Sequence, residues 1–167
     1  MCDLPIIFSF TKSIYYTQKE LEKVLGDKWK RLIYECGKND AMFVVSSYLK
    51  LSQNQEEITE LLLAGKPNYK NKVESLQFCG DQFNKMGLGY IENVAQDVNK
   101  LRFVLRFYFS PIGQAYLEHE KTKEPVCHYF SGLFAGTTSI MYPGSESIET
   151  KCIAKGDPYC EFELRGK

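Results

Sequence analysis

The chain has 167 residues, 44% of them hydrophobic and 25% charged, with 21 basic and 21 acidic side chains. That length buries a core without cross-links and makes one domain over 1–167 the expectation, with 1–27 an extension running into the first helix and about 28–164 the domain proper. Balanced charge gives no global basic field for nucleic acid and no acidic excess for disorder.

The first apolar stretch, LPIIFSF, follows Asp3 and suits a short strand; it is too short for a membrane span and lacks a signal-peptide layout. The expectation is a soluble, cytoplasmic protein. TQKE, from Thr17 to Glu20, has capping-box form, and Leu21, Val24, Leu25, Leu32, Ile33 and Cys36 recur at helical spacing, predicting a helix over 18–36. Gly37 is read as its stop and Asn39 as the cap of a second helix over about 40–51. NQEE, from Asn54 to Glu57, looks like another helix start before Leu61–Leu63, and Pro67 breaks or restarts that helix. Val73, Leu76, Phe83 and Met86 predict a helix over about 70–86, closed by GLG at 87–89.

Beyond Gly89 the period changes to two. In LRFVLRFYF, Leu101, Phe103, Leu105, Phe107 and Phe109 share one face, which predicts a half-buried strand over 101–109 with 90–97 as its antiparallel partner. Residues 110–124 read as a polar connection. Pro125 opens a helix over about 126–141, whose Gly132, Ala135 and Gly136 allow a close neighbour. A hairpin of 147–155 and 159–164 turns around GDP. Helices first and strands afterwards give an α+β fold, an antiparallel sheet with helices packed on it.

The chemistry gathers in the last quarter. Cys127 falls at the start of its helix, where the dipole favours a thiolate. Cys152 and Cys160 stand on the two arms of the hairpin, and Glu149 precedes Cys152 by three residues. On a regular strand Glu149 and Cys152 face opposite sides, so a shared site requires a bulge or an irregular strand start. Three thiolates and a carboxylate complete a tetrahedral set for Zn²⁺. Buried thiols and a disulfide are the competing readings, and His119 and His128 are alternative fourth ligands. Lys151 and Lys155 are close enough in sequence to offset the cluster's negative charge.

The run EPVCHYFSGLFAGTTSIMYPGSESIETKCIAKGDPYCEFEL closely resembles the C-terminal half of the 4-vinyl reductase, or hydrocarbon-binding, domain family. It contains a cysteine opening a small-residue helix, then Glu-x-x-Cys, a Gly-Asp turn, and Cys followed two residues on by Phe. Matching positions in related phenol-sensing activators bind zinc, so the resemblance implies Cys127, Glu149, Cys152 and Cys160 as zinc ligands clamping the hairpin. It further implies a homodimer and a cavity for a small apolar ligand, aromatic or lipid-like, between helices and sheet. Phe78, Phe107 and Phe130 are candidate walls. No histidine stands near Phe78 and no tryptophan near Phe107 in the sequence, so the family's polar ligand contacts do not carry over.

The family name suggests a reductase, but GLGYIE lacks the third glycine of a dinucleotide loop and lies between helix and strand in the wrong order. No nicotinamide-dependent reduction is expected, and whether any chemistry is performed stays open. Two alternatives stand beside the ligand-binding module. One is a dimeric assembly protein, on a fold similar to that of trafficking-complex subunits. The other is an accessory factor or reductase acting on a ring-bearing cofactor.

Overall fold

The computed structural model describes residues 11–51, 80–81, 83–85, 87–97 and 100–166. Helix α1 spans Thr11–Leu25 and α2 spans Lys28–Leu51. They are two helices where the spacing predicts one over 18–36, because Gly26 turns the chain with φ of +54°. Thr17 therefore lies inside α1 and is not an N-cap.

Gly37 does not end a helix. Helix α2 runs through it, since that position lies against another helix: a Cβ there would overlap the Tyr129 carbonyl oxygen. The first strand expected at LPIIFSF, the helix start at Asn54–Glu57, and Phe78 fall outside the described residues. Residues 80–81 and 83–85 are helical, at the end of the helix expected over 70–86.

Strand β1 (Tyr90–Asp97) pairs antiparallel with β2 (Arg102–Tyr108), with a bulge between Asn93 and Ala95. The expected strand over 101–109 is trimmed at both ends. Leu101 and Phe109 take φ of +47° and +59°, which takes them off the pleat. Phe109, placed by alternation on the buried face, is 71% exposed. The stretch read as a polar connection contains helix α3, Pro111–Leu117. Ser110 at the N-cap and Pro111 at the first helical position are the local signals for it.

Helix α4 is His128–Met141, with Cys127 as its N-cap. It starts after Pro125 rather than at it. Strands β3 (Glu146–Lys151) and β4 (Cys160–Arg165) follow, separated by a 3-10 turn over Ile153–Lys155. The first arm of the hairpin thus stops at Lys151, earlier than sequence suggests.

The sheet order is β1-β2-β4-β3, and every pairing is antiparallel. Phe103, Phe107, Phe162 and Leu164 point from its inner face into a core completed by Phe83, Phe130 and Phe134. Helix α4 is the middle of three layers, with the sheet on one side and α2 on the other. Cβ atoms at Gly132 and Gly136 would overlap the carbonyl oxygens of Tyr34 and Lys38, so α2 and α4 meet backbone to backbone. The fold is α+β with an antiparallel sheet, as expected, and its long helices precede the sheet.

Candidate metal centre

Each of the four polar residues in the cluster is delivered by a different device. Cys127 is the last residue before α4, and Cys160 is the first of β4. Cys152 leaves β3 in extended conformation and caps the 3-10 turn; its N–H donates to Asp157 Oδ2 at 2.8 Å. Glu149 sits on β3, and the register of β3 against β4 shifts between Glu149 and Lys151. That irregularity brings Glu149 and Cys152 to one side, as the sequence requires of a shared site.

The cysteines are fully buried and Glu149 is 8% exposed. Cys127 Sγ lies 3.7 Å from Cys160 Sγ, and Cys160 Sγ lies 4.0 Å from Cys152 Sγ. One donor atom from each of the four residues falls within 4.8 Å of all the others, so the group could hold a metal ion. Cys127, Cys152 and Cys160 are free thiols. The backbone N–H of Cys127 donates to Glu149 Oε2 at 2.8 Å, while Oε1 is buried with no hydrogen-bond partner. An orphaned buried carboxylate oxygen beside three sulfurs is costly unless something positive meets it.

The titration of the cluster expresses the same strain. Burial pushes Glu149 up to about 9, with the Cys152 charge adding to it. Burial also pushes the Cys127 thiol up, outweighing the helix N-terminus expected to favour its thiolate. Cys152 goes the other way, because Cys127 and then Cys160 hydrogen-bond to its sulfur. At Cys160 the bond with Cys127 works downward, but the bond with Cys152 and burial carry it upward. The shifts run in opposite directions across the cluster, because acidic groups are crowded and buried without a cation, and metal binding requires their protons to leave.

The lysines do not supply that charge. Lys151 Nζ bonds Glu161 and the Tyr159 hydroxyl, and Lys155 pairs with Asp157 at 3.7 Å. The histidines are also elsewhere. His119 Nδ1 is 2.9 Å from the Ala115 carbonyl oxygen, and the His128 ring packs edge-on against Trp29. Ser110, which no motif in the sequence singles out, joins the cluster: its Oγ lies 3.2 Å from Cys127 Sγ.

Between α4 and the β1–β2 end of the sheet is a cavity of about 440 Å³. Phe83, Phe103, Leu105, Leu133 and Phe134 supply apolar wall, and Asp81, Asn84 and Glu92 polar lining. Phe107 and Phe130 do not line it. They are buried against Phe83, with ring centroids 5.4 and 6.0 Å from it.

Comparison with known proteins gives the same fold on different chains. The chain is 26% identical over 135 residues to an uncharacterized protein of Methanocaldococcus jannaschii, covering 80% of this chain and spanning 63% of that relative's length. The phenol-responsive sensory domain of the transcription activator PoxR, solved with phenol, superimposes with a TM-score of 0.74 at 17% identity, covering 96% of this chain and 76% of that one. A trafficking protein particle complex subunit 3 from Naegleria fowleri, covalently bound to palmitic acid, gives 0.67 at 15% identity, over 94% and 92% of the two chains. A vinyl-4-reductase family protein from M. jannaschii gives 0.52 at 18% identity, over 99% and 85%. The family model of the 4-vinyl reductase domain matches residues 115–166. That stretch contains Cys127, Glu149, Cys152 and Cys160, and it is under a third of the chain.

Proposed function

We propose that this protein binds a small apolar ligand, aromatic or lipid-like, in the cavity between α4 and the sheet, and that a structural zinc ion fastens the C-terminal half of the fold. The observation that carries the ligand reading is the cavity itself: about 440 Å³, walled by Phe83, Phe103, Leu105, Leu133 and Phe134. That is within the range of small-molecule sites. Phenol in the PoxR domain and palmitic acid in the trafficking subunit are bound on the same fold, which supports both ligand classes.

The zinc reading is supported by donor chemistry and spacing. Sulfurs about 2.3 Å from a tetrahedral ion stand about 3.8 Å apart, and those here are 3.7 and 4.0 Å apart. Cys127, Cys152, Cys160 and Glu149 through its free Oε1 would hold the ion. Four protein donors leave no vacancy for water, so the ion cross-links α4 to both arms of the hairpin.

The test is extraction. Reduced protein purified without chelator is expected to carry one zinc per chain by elemental analysis, and denaturation is expected to release an apolar molecule identifiable by mass. Phenol and palmitate, titrated into stripped protein, separate a ring pocket from a chain pocket. Failure of both probes to bind, with nothing extracted, overturns the ligand reading. Absence of zinc overturns the metal reading independently.

A second reading is a homodimer in which this fold serves assembly. It is favoured by apolar side chains on the outer helices, Val24 on α1 and Leu32, Met42 and Val44 on α2, between 39% and 78% exposed. Sedimentation as a monomer at micromolar concentration counts against it.

A further inference from the structure

The corner between β2 and α3 holds an uncompensated irregularity. Phe109 turns the chain with φ of +59°, a conformation in which a bulky residue is a genuine outlier. Its own packing does not account for that, since it is 71% exposed. The next residue, Ser110, is fully buried. The turn at Phe109 leads directly into the placement of Ser110.

The Ser110 hydroxyl makes two contacts. The N–H of Gly113 donates to its Oγ at 3.3 Å, which caps α3, and the same Oγ lies 3.2 Å from Cys127 Sγ. A hydroxyl has one proton and two lone pairs. Gly113 N–H takes one lone pair, and toward a metal-bound Cys127 thiolate, which carries no proton, the hydroxyl can only donate.

We propose that Ser110 is a positioning residue of the metal centre, its hydroxyl donating to the Cys127 thiolate and holding that sulfur toward the other three donors. The inference rests on the reading of Cys127, Glu149, Cys152 and Cys160 as metal ligands. Three thiolates, one carboxylate and a divalent ion leave a formal charge of −2, and Lys151 and Lys155 are paired with Glu161 and Asp157 instead. Hydrogen bonds to the sulfurs are a means of dispersing it. Ser110 is placed to serve Cys127 in this way. The first turn of α3 also closes over the cluster: a Cβ at Gly113 would meet Ile153 Cγ1 at 2.5 Å and Cys160 Sγ at 3.5 Å. Cap and metal support therefore share one hydroxyl, and the strain at Phe109 is the conformational cost of putting it there.

Cobalt(II), refolded into stripped and reduced full-length chain, distinguishes this role from capping, because its sulfur-to-metal charge-transfer band reports the thiolates directly. A hydrogen bond lowers the sulfur lone pair, so its loss moves the band to longer wavelength. Ser110→Ala is expected to shift the band and weaken cobalt binding about 10–100-fold in chelator competition. Ser110→Thr, which keeps the hydroxyl, restores both. Ser110→Asp, which still caps a helix but brings no proton to the sulfur, behaves like the alanine variant. Phe109→Gly keeps the band and the affinity while raising thermal stability. An unshifted band and wild-type affinity in Ser110→Ala or Ser110→Asp, with only the melting temperature lowered, overturns the proposal and leaves the metal reading intact. Wild-type protein that takes up no metal overturns both.

Discussion

The backbone N–H of Cys127 holds Glu149 Oε2 at 2.8 Å, so the residue that begins α4 orients the carboxylate of β3. The two oxygens of Glu149 are thereby distinguished: Oε2 is occupied by the helix start, and Oε1 is left bare and buried. Orientation of one member of the cluster by the main chain of another makes the four side chains a unit.

That unit predicts how Glu149 variants behave. Glu149→Gln keeps an oxygen for the Cys127 N–H but loses the negative charge. It is expected to fold and to hold zinc at least about 10-fold more weakly than wild type, on the scale of disturbed metal shells. Glu149→Ala also orphans the Cys127 N–H and is expected to cost a further 1–3 kcal/mol or so of stability. Zinc competition with a chromophoric chelator and thermal melts check the two effects separately.

Metal removal should loosen one half of the molecule. Binding energy at such a site is folding energy, because the unfolded chain has no preformed site. Chelation of the reduced protein, or Cys160→Ala, is expected to expose the amides of β3, β4 and the start of α4 to hydrogen exchange. The helical pair α1 and α2 is expected to keep its circular dichroism. Cys36→Ala, at an exposed position on α2, should leave metal content unchanged. Acidification should mimic chelation, since the ligands must lose protons to bind: affinity falls as pH falls. Zinc release followed from pH 8 to pH 5 tests that direction.

The contact between α2 and α4 is a backbone contact, and it should not tolerate a methyl group. Gly132→Ala places Cβ onto the Tyr34 carbonyl oxygen. The helices must separate, and overpacking of this kind costs about 1–3 kcal/mol or more. Gly26→Ala is the comparison, because a Cβ there meets nothing within 4 Å and only the left-handed φ of +54° opposes it. Urea unfolding of both variants is expected to show the larger loss at Gly132. Equal losses would count against the tight interface.

His128 supplies a pH dependence of its own. Burial, with Lys30 nearby, lowers it to about 4, and its Nε2 is buried without a hydrogen-bond partner. In the unfolded chain it titrates near its ordinary value of about 6.5. Below that pH the unfolded state takes a proton that the folded state refuses. Stability is therefore lost as pH falls from about 6.5, and the loss is complete below about 4. His128→Gln removes this contribution, so the difference in melting temperature between variant and wild type should move in the variant's favour from pH 7 to pH 5. A constant difference would mean that His128 does not titrate with folding.

Some of this architecture was legible without coordinates, for a definable reason. The alternation of Phe103, Leu105 and Phe107 fixes a strand with one buried face, because side chains on a pleat alternate by geometry alone. The run from Cys127 to Cys160 marks the cluster, because thiols and a carboxylate at turn and strand ends are unusual in composition and spacing. The need for a bulge or irregular strand between Glu149 and Cys152 also follows from strand parity. Long-range contacts decided the rest. Gly37 has the local signature of a helix end, and α2 continues through it because the Tyr129 carbonyl occupies the space of its missing Cβ, 92 residues away in sequence. Phe109 has the periodicity of a core residue, and it faces out because the chain turns there to bring Ser110 to Cys127. Phe107 and Phe130 have the character of pocket walls, and packing against Phe83 puts them in the core instead. Local pattern determines which residues must be buried and in what element. What they are buried against is set by which other elements arrive, and the sequence around a single residue does not contain that information.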